Sequence, residues 1–280
     1  CLSEKKRKIS SGYSIIFTID VNSYQNILPN APKPTHVNID GDDVEMPSNT
    51  VYFIPKRGSI IKFTWDEMPS CSGLFKDYSP LLTIDLSGLD TSTITDMSQM
   101  FSGCNKLKSI KFGDNFDTSN VQNMDYMFYN CFKLVSLDLK SFNTGKVVSM
   151  EEMLFNAQSL LSLNLFYFDT SQVTNMKEMF FSCNSLIYIN LKNFNDTSAE
   201  IQNIFSNDIT NLIYCVDETI GSKIHQFLQN NRKLTFDCDN ICFEDGIKID
   251  FEEKKCVRQC SGNQVEIDKI CYHSDQSDSN

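Results

Sequence analysis

The chain has 280 residues, 41% of them apolar and 22% charged, with 11 glycines, 7 prolines and a net charge of −11. That composition fills a core over about two domains and excludes a disordered or collagen-like chain. A pI near 4.7 opposes binding to nucleic acid, and no run approaches the ~18 apolar residues of a spanning helix. The chain starts at Cys1 rather than Met and has no apolar leader, so it reads as a processed product or an excerpt. Membrane attachment is expected only through an anchor outside the chain or at Cys1.

Residues 1–58 open with a basic run, Lys5 to Lys8, read as a solvated arm. YSIIFTIDV, THVNID and NTVYFIP then alternate with the period of β-strands, separated by Pro and Asn clusters such as ILPNAPKPT. They predict a small β module. It is expected either to cover an open apolar edge of the adjoining segment or to stand as a separate domain.

Residues 59–214 carry an internal repeat. Leucine recurs at Leu81, Leu107, Leu134, Leu160, Leu186 and Leu212, with spacings of 26, 27, 26, 26 and 26. Each copy reads L-x-x-L-x-L, then an aromatic residue or Leu with Asp or Asn, then T-S, then M-x-x-M-F. The 27-residue spacing coincides with an extra residue around Gly113, read as a one-residue bulge after which register resumes. Eight of the ten methionines form the i, i+3 pairs Met97/Met100, Met124/Met127, Met150/Met153 and Met176/Met179. Beside Phe101, Phe128, Phe155 and Phe180 they predict the inward face of a short helical turn filling a core. Asp90, Asp117, Asn143 and Asp169 precede that turn, where a side-chain oxygen can cap free amides. Leu74 and Phe75 extend the pattern back into a degenerate first unit, and Ile201, Ile204 and Phe205 extend it forward. About five to six rungs at ~4.8 Å per strand give a stack on the order of 25 to 30 Å long. The expected fold is an α/β leucine-rich-repeat solenoid of short parallel strands and short helical turns, with a small β N-terminal module and a disulfide-rich C-terminal segment.

Residues 215–238 read as strand, helix and strand and are expected to cap the stack, with Cys215 and Cys238 as the first disulfide candidate. In residues 239–280, a polar stretch with little core, Cys242, Cys256, Cys260 and Cys271 are further disulfide candidates, since burial alone cannot hold such a segment. The C-x3-C spacings from Cys238 to Cys260 can also be written as a four-thiolate zinc site, a reading that orphans Cys215 and Cys271. Cys104, Cys131 and Cys183 share one slot of the repeat, with Ala157 in the remaining copy, and Cys71 takes a methionine slot. All four read as small core residues. This cysteine usage predicts an extracellular or cell-surface protein. Asn195-Asp196-Thr197 is a possible N-glycosylation site.

IDLSGLDTSTITDMSQMFSGCNKL, NFDTSNVQNMDYMFYNCFKLVSLDL and FDTSQVTNMKEMFFSCNSLIYINLKNF resemble the 26-residue repeats of BspA-like leucine-rich-repeat surface proteins of mycoplasmas, other bacteria and protists. The likeness runs from Ile60 to about Leu212. CVRQCSGNQVEIDKICYHS looks like the cysteine-rich stalks of protist surface proteins. The resemblance implies export, display at a cell surface and a role in adhesion or host contact.

No catalytic, cofactor-binding or metal site is expected. His36, His225 and His273 lie in different regions, and the chain has no nucleophile elbow, H-E-x-x-H, dinucleotide or phosphate-loop signature. In a leucine-rich-repeat sheet the x positions of L-x-L face outward, which makes Asp85, Lys111, Asp138, Asn164 and Asn190 a ladder on a possible contact face, with Phe166, Tyr167 and Tyr188 as its aromatic cluster. The chain therefore reads as a non-enzymatic interaction protein whose partner is a protein or glycan on another cell or matrix. The alternatives are a structural surface spacer and a zinc-stabilised intracellular scaffold.

Overall fold

The computed structural model describes residues 12–20, 24–26, 30–44, 51–53, 56–67, 69–206, 212–216, 223–229, 248–250, 255–257, 264–267 and 270–273. The N-terminal region contributes β1 (Tyr13–Ile19), β2 (Tyr24–Asn26), β3 (His36–Ile39), β4 (Asp42–Asp43), β5 (Val51–Phe53) and β6 (Ile60–Trp65). The repeats contribute β7 (Leu81–Gly88), β8 (Ser109–Lys111), β9 (Ser162–Asn164), β10 (Tyr188–Leu191) and β11 (Ile213–Val216). After α1 (Lys223–Gln229) come β12 (Lys248–Asp250), β13 (Lys255–Val257), β14 (Gln264–Ile267) and β15 (Ile270–His273).

Period-two alternation builds the first sheet. In β1, Ile15, Phe17 and Ile19 turn inward while Ile16 faces out. The sheet runs β4-β3-β6-β1-β7-β8, so β1 hydrogen-bonds both to β6 and to β7, the first strand of the clear repeats. Edge-to-face contacts of Phe63 with Phe17 and Trp65, at 5.4 and 5.8 Å, lock its core. The N-terminal strands thus cover an edge that the repeats leave open.

The repeats meet through their turns. In each M-x-x-M-F segment alternate amides donate to the next copy: Met97, Gln99, Phe101 and Gly103 reach the carbonyls of Asn123, Asp125, Met127 and Tyr129 at 2.8–3.0 Å. The same four bonds recur from Met124, Tyr126, Phe128 and Asn130, and again from Met150, Glu152, Leu154 and Asn156. Gly73, Phe75 and Asp77 make the equivalent bonds in the degenerate first unit. Two residues per turn are left-handed. One slot holds Gly73, Gln99, Tyr126, Glu152 and Glu178, the other Asp77, Gly103, Asn130, Asn156 and Ser182, all with φ between 49° and 76°. A positive φ at the third residue of a Met97-to-Met100 turn gives a tight turn and forbids an α-helix.

Side chains seal what these turns stack. All eight paired methionines are fully buried. Phe75, Phe101 and Phe128 stack nearly parallel at 5.1 and 5.6 Å, and Phe180, Phe205 and Phe227 continue the ring series onto α1. The thiols of Cys104, Cys131 and Cys183 donate to carbonyls of the preceding copy. Buried Thr91, Thr118, Thr144 and Thr170 donate to carbonyls of the following one. Asp196 occupies the next threonine slot, and its carboxylate instead accepts the amide of Ile224 at 2.6 Å, fastening the first turn of α1 to the end of the stack.

The expected α/β leucine-rich-repeat solenoid is therefore corrected. Strands dominate, and α1, seven residues long, is the helix among the described residues. The predicted helical turns are absent because their third residue is left-handed. The parallel strands do not form one sheet: β7 and β8 belong to the mixed six-stranded sheet, whereas β9, β10 and β11 form a separate parallel one. Nor is the N-terminal region a small module of its own class, since four of its strands, β1, β3, β4 and β6, share a sheet with the repeats. The expected disulfide-rich C-terminal segment is likewise corrected to a four-stranded sheet, β13-β12-β15-β14. No complete disulfide pair stands among the described residues. Cys215 is buried and disulfide-bonded. Cys238, Cys242 and Cys260 lie outside the described residues, and of Cys256 and Cys271 only the strand positions are described.

Burial pushes the thiols of Cys71 and Cys183 up to about 12 and raises those of Cys104 and Cys131 as well. All four are free and buried. These thiols keep in the fold a proton that the unfolded chain loses near its ordinary value of 9.0, so stability is full below about pH 9 and falls as pH rises beyond it. A thiol-specific chromogenic reagent at pH 8 is expected to leave these four unmodified in the native protein and to modify all of them in denaturant. Peptide mapping of the modified sites checks this.

Candidate binding cleft

Hydrogen bonding on the strand side of the repeats is less complete than on the turn side. Corresponding residues are Leu82, Lys108, Val135, Leu161 and Ile187. Lys108 donates to Leu82, Leu161 to Val135, and Ile187 to Leu161, but among the described residues nothing joins Val135 to Lys108. Residues 135–139 form no strand, and the six-stranded sheet ends at β8. This break falls at the one 27-residue spacing.

Gly113 shows why. A Cβ at this position would lie 2.3 Å from Cα of Ser87, so the chain passes directly against β7 here. The extra residue lets β8 hug β7 while the following copy is set one residue further on. The core opens along the break. In the inward slot of the repeat Ile84, Leu163 and Ile189 are at most 3% exposed, whereas Ile110 is half-buried. In the next inward slot Leu86, Leu139, Leu165 and Leu191 are sealed and Phe112 is half-buried. Phe112 packs on Phe116 and Phe142, at 4.8 and 4.9 Å, and forms the floor of a cleft of about 670 Å³. Lys111, Asp114, Asp138 and Lys140 stand on its walls. A second depression of about 430 Å³, lined by Ile16, Ile60, Thr83 and Asp85, shares Ile110 and Lys111 with it.

The outward ladder lies partly on this cleft. Lys111 bonds Asp85 at 2.8 Å, and Lys140 approaches Asp138 at 3.2 Å. Burial raises the Asp85 carboxyl, but hydrogen bonds from Lys111 and Ser87 outweigh it and hold the group below the ordinary range. Asp85, Asp138, Asn164 and Asn190 each accept, through a side-chain oxygen, the backbone amide two residues on, at 2.8–3.1 Å. Asp90, Asp117, Asn143, Asp169 and Asn195 do the same at their own slot, capping turns instead of helices. Much of the ladder's polarity is thus spent on its own chain.

The aromatic cluster divides. Phe166 and Tyr167 meet edge to face at 5.2 Å, and Tyr167 is 54% exposed. Tyr188 and Asn190 are buried, so they do not share the open face. Asn195, in the possible glycosylation site, is half-buried, and its Oδ1 also accepts the hydroxyl of Thr197. His36 meets Asp43 at an exposed edge, and His225 lies on α1. No group of three or more His, Cys, Asp or Glu poised for a metal occurs among the described residues, and no described helix is long and apolar enough to cross a membrane.

Residues 69–194 match the family model described as "Mycoplasma protein of unknown function, DUF285". The match spans β7 to β10 with the turns between them and stops short of β11 and α1. No curated protein and no solved structure matches the chain. The wider likeness to BspA-type repeat proteins is consistent with this match, which covers the same repeats.

Ile110, Phe112 and Asp114 escaped sequence reasoning. The available signal was the 27-residue spacing, whose extra residue opens the stack instead of being absorbed. Gly113→Ala is expected to drive β8 off β7 and to cost about 1–3 kcal/mol. A urea unfolding curve checks this, with unchanged slope and a lower midpoint as the expected result.

Proposed function

We propose that the protein is a non-enzymatic interaction protein, displayed at a cell surface or secreted, that contacts a protein or glycan on another cell or matrix. The observation that carries this reading is the open step on the strand side of the core, at Ile110 and Phe112, on the same side as the half-buried Phe166 and the exposed Tyr167 that packs on it. A broad face with one protruding tyrosine and half-buried aromatics beside it suits binding better than turnover. The repeated carboxylates, which would have to supply acid–base chemistry, are engaged as turn acceptors. The family match supports the repeat character, and the resemblance of the repeats to BspA-like surface proteins supports display and adhesion.

Fluorescently labelled protein added to cultured cells and to matrix-coated wells tests the proposal. Saturable binding is expected. The double variant Phe166→Ala/Tyr167→Ala should lose at least about tenfold in affinity, about 1.4 kcal/mol, with an unchanged melting temperature. Absence of saturable binding by the unmodified protein would instead favour a structural spacer at the surface.

A further inference from the structure

The break beside β8 leaves peptide groups as well as side chains open. Lys108 donates its amide to β7, and Ile84 pairs with Ile110. Because successive residues of a strand direct their backbone groups to opposite edges, Ser109 and Lys111 turn theirs toward the break. Among the described residues, no backbone hydrogen bond from residues 135–139 reaches them. Ser109, Lys111, Val135 and Ser136 are all exposed.

We propose that this edge receives an extended strand of a partner protein, which pairs with Ser109 and Lys111 and lays an apolar side chain on Ile110 and Phe112. The proposal rests on the interaction-protein reading above and names its site and the class of partner. Three observations select that occupant. Open peptide donors and acceptors along a strand are matched by another peptide backbone, the pairing mode of strand addition. The half-buried Ile110 and Phe112 supply apolar seats next to that edge, in a protein whose other copies seal the same slots. Finally, the walls hold Lys111 and Lys140 against Asp114, Asp117 and Asp138, and the two lysines are already engaged by Asp85 and Asp138. The remaining field is mildly negative. It disfavours an anionic ligand such as a phosphate or a sulfated glycan and favours a strand that carries a Lys or Arg near Asp114.

An array of random dodecapeptides probed with the full 280-residue chain tests the proposal independently of cell binding. Captured peptides are expected to alternate apolar residues and to carry at least one Lys or Arg. N-methylation of a captured peptide at alternate positions should weaken binding at least about tenfold, while methylation at the intervening positions should not. On the protein, Ser109→Pro removes the amide that faces the break, a substitution that an outward-facing edge position tolerates. It should abolish capture while Ser109→Ala leaves it intact, and the N-methyl series carries the test if the proline variant fails to fold. The proposal is overturned if no peptide is captured, if captured peptides tolerate methylation at every position, or if folded Ser109→Pro binds as well as the unmodified chain. Concentration-dependent dimerisation that Ser109→Pro abolishes would also overturn it, by making a second copy of this chain the occupant.

Discussion

The repeats are held in register by one backbone device, the left-handed residue in the middle of each M-x-x-M-F turn. It swings alternate amides out of the turn and aims them at the next copy, so that Gln99, Tyr126, Glu152 and Glu178 each donate across the same step. A non-glycine residue in this conformation costs roughly 1–2 kcal/mol. Each step has two such slots and gains three or four backbone bonds of roughly 1 kcal/mol net, and the four M-x-x-M copies add burial of two methionines each. The bonds and the burial outweigh the strain, and the alternative, a helical turn, would have satisfied the amides internally and left successive copies unconnected.

Because the turn side carries this load, the strand side is free to vary. Its sheet can stop after β8 and resume at β9 without unstacking the methionines, which remain buried on both sides of the break. The extra residue at Gly113 is thus expressed as an opening on the strand side of the core. The two ends are closed by different means. At the start, β1 supplies an antiparallel neighbour to β7. At the finish, Asp196 substitutes for a threonine and turns a rung-to-rung bond into the fastening of α1, while Phe227 continues the ring series.

Period and composition made the core legible. The spacing of 26 located the eight paired methionines, the cysteine slot and the asparagine and aspartate turn acceptors, because those positions are dictated by side-chain size and by local hydrogen bonding. The conformation of the turn was not legible. Methionines three apart are what a helix would show, and nothing in the residue types Gln99, Tyr126 or Glu152 announces a left-handed backbone, which tertiary bonding imposes on them. The contact face was legible in part. Alternation placed Asp85, Lys111 and Asp138 outward, but Tyr188 and Asn190 obey the same alternation and are buried. Local periodicity reports which side of a strand a residue takes, and only the packing of distant chain decides whether that side meets water.

Native-state amide hydrogen exchange is the most direct test, because it reads the two sides of the stack separately. The amides of Gln99, Tyr126, Glu152 and Glu178, all on half-buried residues, should exchange only through opening of the whole stack and fall in the slowest class. Those of Ser109, Lys111 and residues 136–138 should exchange orders of magnitude faster. If the four turn amides exchange as quickly as residues 136–138, the left-handed ladder does not hold the repeats together.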